Sequence, residues 1–251
     1  MENITAILNS YEPIGLKEMD EVKLLDRMDT KFTFRFAELP GLLKNASPFY
    51  YVLDINNVRI NRYETLYFDT NGFNLYHQHH NGKLNRCKVR YRCYTDSDLN
   101  FFEIKLRNNR DRTIKERICE ETVENEIKGK AGKFLTKKTC IKPEDLAAKL
   151  WVYYSRITLV NKSSKERLTI DINLNYKNGD KTVSFPDLVI AEVKQEKACR
   201  SYFTKMMKEK HIRSNSISKY CFGITSLYEN IKMNNFKYKF SRIKKLCYEQ
   251  N

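Results

Sequence analysis

The sequence predicts an α+β fold built on an antiparallel sheet with one strongly basic face. Three observations predict it. Strand-like stretches with period-two alternation recur along most of the 251 residues. Shorter stretches with helical spacing fall between them. The 46 Lys+Arg, set against 31 Asp+Glu for a net charge of +15, gather on the polar faces of the strands. Hydrophobic residues at 41% and aromatics at 12% supply a core and exclude a disordered chain. With only 8 Gly and 5 Pro, collagen-like and low-complexity readings fall away.

Taken in order, the elements begin with an amphipathic helix over 15–25, where Leu16, Met19, Val22, Leu24 and Leu25 recur at near-helical spacing. Strands are predicted at 27–36, 63–69, 87–94, 100–107, 113–119, 152–160, 166–173 and 188–195. Helices are predicted between them at 73–80, 121–134, 143–150 and 197–210, with a last one over 218–231. Asn178-Gly179 is a hairpin-turn signal between 170–176 and 181–185. The tail Phe236–Lys245 is basic and aromatic and reads as a final helix or an ordered surface strip. This gives one domain over 1–231, a basic C-terminal extension over 232–251, and no linker.

No apolar run is long enough to cross a bilayer, and Met1-Glu2-Asn3 does not open a signal peptide. The expectation is a soluble, cytoplasmic protein. Seven scattered cysteines, none in CxxC spacing, read as reduced and mostly buried rather than as a zinc site or a disulfide framework.

Alternation assigns the chemistry. Lys88, Arg90 and Arg92 share one strand face, opposite Val89, Tyr91 and Cys93. The same rule groups Arg27, Asp29 and Lys31; Glu103, Lys105 and Arg107; Lys115 and Arg117; Tyr154 and Arg156; Arg167, Thr169 and Asp171; and Glu192 and Lys194. Any antiparallel sheet with a wet face alternates this way. An ordinary wet face mixes both signs, however, and here only Asp29, Glu103, Asp171 and Glu192 oppose the cations. Like charges directly across adjacent strands repel, so the arrangement calls for a bound polyanion. If the sheet closes into a barrel, the basic faces converge inside and helices cover the apolar outside. A narrow tunnel of that kind selects a thin, linear triphosphate or polyphosphate over DNA. Its carboxylates oppose phosphate unless they hold Mg²⁺ or Mn²⁺, which marks Glu192, Glu103 and Asp171 as candidate metal ligands.

These pieces, LLDRMDTKF (Leu24–Phe32), TLYFDT (Thr65–Thr70), KVRYRCY (Lys88–Tyr94), FFEIK (Phe101–Lys105), TIKER (Thr113–Arg117), YYSR (Tyr153–Arg156), RLTIDINL (Arg167–Leu174), VIAEVK (Val189–Lys194) and SKYCFG (Ser218–Gly223), resemble in order and spacing the VTC domain. That family is the polyphosphate polymerase branch of the triphosphate tunnel metalloenzyme (CYTH-like) superfamily. The resemblance implies a closed antiparallel β-barrel, or tunnel, of about eight strands with flanking helices. It also implies ATP as substrate and Mn²⁺ or Mg²⁺ as cofactor, with Glu192 on the metal. Phosphate-clamping positions would fall on Arg90, Arg92, Lys105, Arg156, Arg167 and Lys219, and further substrate contacts on Lys31, Lys115, Arg117, Tyr154 and Ser218. Lys194, beside Glu192 on the basic face, joins the substrate-binding set. Ser218 reads equally well as the N-cap of the last helix, where free N–H groups also favour phosphate. Superfamily members that hydrolyse triphosphates usually begin with an ExExK strand. Here the matching positions read Arg27-Met28-Asp29-Thr30-Lys31, as in the polymerase branch.

No GxxxxGK[ST] motif occurs, so a P-loop is excluded. His77-Gln78-His79-His80 reads as a surface feature. The leading expectation is a polymerase that transfers the γ-phosphoryl of ATP to a growing polyphosphate chain. The alternatives are a metal-dependent tripolyphosphatase or nucleoside triphosphatase, with Glu103 or Asp171 activating water, and a non-catalytic polyphosphate- or RNA-binding module. Any membrane protein partner would be a separate chain.

Overall fold

Among the residues that the computed structural model describes (3–21, 27–110, 112–196 and 201–248), eleven strands form one sheet with helices packed around it. In chain order these are α1 (Ile4–Asn9), β1 (Pro13–Ile14), α2 (Leu16–Glu21), β2 (Arg27–Arg35), α3 (Leu39–Ala46), β3 (Tyr50–Leu53), β4 (Asn61–Asp69), α4 (Asn74–His80), β5 (Arg86–Tyr94), β6 (Leu99–Arg107), β7 (Thr113–Glu120), α5 (Gly129–Lys138), β8 (Ala147–Asn161), β9 (Glu166–Asn178), β10 (Lys181–Phe185), β11 (Leu188–Glu196), α6 (Tyr202–Glu209), α7 (Lys219–Leu227) and α8 (Asn234–Tyr248). The positions of Val22, Leu24, Leu25 and Cys199, and the side chain of Arg27, lie outside the described residues.

The main path of the sheet runs β2-β11-β9-β8-β4-β5-β6-β7, and every neighbouring pair on it is antiparallel. These are the eight strands that alternation predicts. The expected closed barrel is corrected, because β2 and β7 end the path with no hydrogen-bonded pairing between them. The outer edge of β2 is used differently: the Asn215 N–H donates to the Lys31 carbonyl at 2.8 Å, forming a bridge there. The sheet nevertheless curls. Lys31 of β2 lines the same cleft as Lys88 of β5, Lys105 and Arg107 of β6 and Thr113 of β7.

Two apolar layers cover the convex side. Helices α1, α3 and α6 pack over Phe32, Phe34, Leu168, Ile170, Val189 and Ala191. Helix α5 packs over Val89, Tyr91, Phe102 and Ile104. On the concave side α4, α7 and α8 fill one end against Tyr67, Leu150, Val152, Leu174, Tyr176 and Ile190. Helix α7 lies so close that a Cβ on Gly223 would stand 2.5 Å from the Tyr176 ring, so only glycine fits there.

A bulge decides which residues share this face. The β8–β9 register shifts between Tyr153 and Ser155, and Asn173 opposite takes φ 55°. Ile172, before the bulge, stays in the convex core with Leu168 and Ile170, whereas Leu174 and Tyr176, beyond it, are turned to the same side as Asp171.

Three sequence expectations differ from the structure. Residues 143–150 are not a helix: Pro143–Asp145 makes one 3-10 turn and β8 begins at Ala147. The helix-favouring Ala and Leu residues are overridden by pairing with β4, as in Tyr67 with Leu150 and Phe68 with Ala148. The helix expected from 121 starts only at Gly129. Helices α1 and α3 were not expected. Their Ile4, Ile7, Leu8, Leu39, Leu42, Leu43 and Ala46 are buried in the convex core. The hairpin signal is realised, with Asn178 paired to Lys181 and Gly179 at φ 54°. Among the described residues no helix is long and apolar enough to cross a membrane.

Candidate phosphate-binding site on the concave face

Register builds the site row by row. Lys88, Lys105 and Lys115 stand directly opposite one another on β5, β6 and β7. Like charges in that relation repel. Lys105 is exposed at the cleft, and desolvation by the groups around it, then Lys88, Lys31 and Arg90, lower its ammonium to about 7, with Glu192 opposing the shift. Lys115 is likewise lowered to about 8, with Glu103 opposing the shift.

The next row is Arg90, Glu103 and Arg117. The Glu103 side chain is 1% exposed, and Arg90 reaches its Oε2 through Nε at 2.8 Å and Nη2 at 2.7 Å. Lys115 approaches Oε1 at 2.5 Å, and Arg92 stands 3.8 Å from Oε2. Burial alone would raise the Glu103 pKa, but Arg90, Arg92 and Lys115 hold it well below the usual carboxylate range. Arg90 also donates through Nη1 to the Tyr67 hydroxyl at 2.8 Å. Arg117 is exposed and lies 4.3 Å above the Phe101 ring.

Across the face, Asp171 accepts from Arg156 at 2.6 Å and 2.9 Å and pairs with Lys219. Burial opposes its ionisation, yet Arg156 and Lys219 bring it down to about 2. Glu192 lies 3.2 Å from Lys194 and 3.5 Å from Lys31, and these cations outweigh burial to hold it well below its usual range.

Helix α7 delivers two of these groups. Ser218 is its N-cap, with Oγ accepting from the Cys221 N–H at 3.2 Å and from Lys88 Nζ at 2.9 Å. Lys219, the first residue of α7, lies 4.8 Å from the Tyr154 ring centroid. Tyr154 stacks on Tyr63 at 5.1 Å, and Arg156 sits over both rings. Tyr154 thus contributes its ring to the cation cluster.

Arg167 adjoins the Glu192–Lys194 pair rather than the Asp171 cluster. It pairs in register with Lys194 and donates to the Met19 carbonyl at 2.9 Å. Four residues of strand place it about 13 Å from Asp171.

Several buried polar atoms on this face have no hydrogen-bond partner: Arg92 Nε, Asn61 Nδ2, Thr65 Oγ1 and Thr169 Oγ1. Register puts Thr65 beside Arg92, Asn61 beside Arg156 and Thr169 beside Glu192. Burying an unpaired polar group is costly, so these atoms mark where the packing of this face leaves hydrogen-bonding capacity unused.

The carboxylates do not gather into a ready-made cage. Among the described residues no group of three or more His, Cys, Asp or Glu is placed to hold a metal. Glu103 and Asp171 are committed to close pairs with Arg and Lys. Glu192, with its longer contacts, fits a divalent ion held by one carboxylate and completed by substrate phosphate oxygens, a common Mg²⁺ arrangement.

The histidine run is not a surface feature. His80 is 3% exposed, and His79 hydrogen-bonds the Cys87 carbonyl and accepts from Arg86 Nε. Of the described cysteines only Cys87 and Cys221 are buried, whereas Cys119 and Cys140 are exposed. The sequence reading assigned no site role to Tyr63 or Tyr67. Alternation in 61–69 carried the signal, since Tyr63, Thr65 and Tyr67 share the concave face.

The chain matches the VTC domain over residues 26–228 and belongs to that family. No curated protein matches it. Similar solved structures include a Hippeastrum protein described as having a dominant triphosphatase activity. It is 15% identical with a TM-score of 0.49, over 81% of this chain and 98% of that chain. A Bacillus halodurans protein provisionally assigned as an adenylate cyclase is 12% identical with a TM-score of 0.48, over 77% and 94%. A Vibrio parahaemolyticus protein with the same provisional assignment is 12% identical with a TM-score of 0.47, over 77% and 95%.

Proposed function

We propose that the concave face binds the phosphate chain of a triphosphate or polyphosphate, and that the protein transfers the γ-phosphoryl of ATP to a growing polyphosphate chain. The observation that carries this reading is the in-register row Lys88, Lys105 and Lys115, in which Lys115 is offset by Glu103 of the next row and the row itself holds no carboxylate. Arg90 and Arg92 continue the cationic face along β5, around the buried Glu103. Membership of the VTC domain family supports the same reading.

Phosphoryl transfer depends on in-line positioning and charge neutralisation more than on covalent help from the protein. Arg90, Arg92 and Lys115 would hold neighbouring phosphates from one wall, and Arg156, Lys219 and Lys31 from the other. The attacking terminal phosphate has a second pKa of about 6 and is mostly ionised near neutrality, so no general base is required. Mn²⁺ or Mg²⁺ on Glu192 would neutralise and orient phosphate oxygens. Polymerisation is favoured over hydrolysis by the state of Glu103 and Asp171. Both are held ionised by tight pairs, which makes them weak bases for activating water.

Incubating the protein with ATP and Mn²⁺ and resolving products on a gel tests this directly. Long chains with stoichiometric ADP are expected. Orthophosphate without chains would establish a hydrolase instead, and binding without turnover a non-catalytic module.

A further inference from the structure

A second basic groove lies outside the concave face. Its walls are the end of β2, the segment 210–216 and helix α8, and it encloses about 690 Å³, against about 420 Å³ for the cleft at the mouth of the concave face. Arg35, Lys210, Arg213, Lys239, Arg242 and Lys245 line it. Glu38 is the acid among its lining residues and is paired with Lys210 at 2.6 Å.

The two cavities meet. Ser216 and Lys239 line both, and Lys239 Nζ donates to Ser216 Oγ at 2.6 Å at the junction. Helix α8 explains the charge of the outer wall. Phe236, Phe240, Ile243 and Cys247 recur at helical spacing and turn inward, leaving Lys237, Lys239, Arg242, Lys244 and Lys245 on the other side with no acidic residue in the helix.

We infer that this groove holds the part of a polyphosphate chain that extends past Lys31, Lys88 and Lys105, with Lys239 passing it from one cavity to the other. The inference rests on the concave face binding phosphate. A bilayer fits the groove less well, because Phe240 and Ile243 are 2% and 3% exposed and α8 keeps no apolar face to insert. Continuity with the inner cleft favours a linear inorganic chain over RNA, since Tyr238 and His211 are the exposed aromatic rings among the groove's lining residues, against six cations.

The test uses the full chain and the double variant Arg213→Glu with Arg242→Glu, both exposed and outside the concave face. Affinities for tripolyphosphate and for a long-chain polyphosphate are measured by calorimetry over a salt series. In the variant, tripolyphosphate affinity should stay within about twofold of wild type, while long-chain affinity falls about tenfold with a shallower salt dependence. Unchanged long-chain affinity, or equal loss for both ligands, would overturn the groove. Loss of single-stranded RNA or phosphatidylserine-vesicle binding with long-chain affinity intact would also overturn it and assign the groove to that partner. Wild type that binds the long chain but not tripolyphosphate would refute the concave-face reading and the continuous path with it, and loss of that binding in the variant would leave the groove as a separate polyanion site. Wild type that binds neither removes both.

Discussion

Replacing Glu103 with Gln removes the carboxylate that holds three cations together. The side chain is 1% exposed, and Arg90 and Arg92 beside it are 13% and 10% exposed. Stripping one partner from a buried pair costs about 3–5 kcal/mol. Lys115 is 37% exposed, so solvent screens its share, and the lower half of that range applies. For a chain of this length about 3 kcal/mol lowers Tm by roughly 6–12 °C. The pH dependence follows from the direction of the shift. The folded-state pKa of Glu103 lies below the ordinary value of 4.5, so its stabilisation is complete above that value and is lost as pH falls toward the folded one. Glu103→Gln should therefore flatten the acid side of the wild-type Tm profile. Tripolyphosphate at a hundredfold over Kd adds about 2.7 kcal/mol and should return much of the lost Tm, because its oxygens take the place of the carboxylate. Thermal melts from pH 3 to 8, with and without tripolyphosphate, read all of this. A Tm loss worth less than about 1 kcal/mol would refute the ion-pair reading. An unchanged Tm with lost Mn²⁺ binding would assign Glu103 to a metal instead.

Glu192→Gln should abolish Mn²⁺-dependent turnover and leave the fold in place; full activity with unchanged Mn²⁺ dependence would remove Glu192 from the metal site. Arg92→Lys keeps the charge but loses the planar fork that binds phosphate in bidentate fashion, so activity should fall about tenfold or more with little change in Tm. Tyr91→Lys, by contrast, buries a charge where the side chain is 2% exposed, and should lower Tm sharply. The opposite pair of outcomes would mean that the facing of β5 is wrong. Lys105 sits at about 7 when free, and a bound polyanion raises it again, so tripolyphosphate binding should take up protons at pH 8 and weaken as pH rises from about 7. Calorimetry in buffers of differing ionisation enthalpy checks this, and uptake that is identical in Lys105→Met would locate the proton elsewhere.

The strands and the facing of their charges were legible because a period of two is a local property. Lys88, Arg90 and Arg92 need no knowledge of neighbours to be placed on one side. Glu103 and Asp171 show where locality ends. Their position on the basic face could be read from sequence, but their close ion pairs depend on register with β5 and β8 and on where α7 lands. The same limit explains Ala147–Leu150, helix-forming in isolation and strand when β4 lies alongside. It also explains the open sheet: nothing local reveals that Asn215 takes the outer edge of β2. Arg167 has the right parity and falls beside Lys194 rather than beside Asp171, because alternation fixes the side of a strand and not the distance along it.

The bulge at Asn173 works as a phase shift written into one strand. A strict alternation would have carried polar residues along the whole concave side of β9, or apolar ones along all of it. One extra residue lets the same strand present Asp171 to an ionic chamber and Leu174 and Tyr176 to the dry seat of α7. Chamber length is thereby set by a count of residues rather than by the identity of any side chain. Moving the insertion two positions along β9 would lengthen or shorten the ionic stretch by about 7 Å, the rise of two strand residues. In this fold the length of the ionic stretch can thus change without altering a single cation.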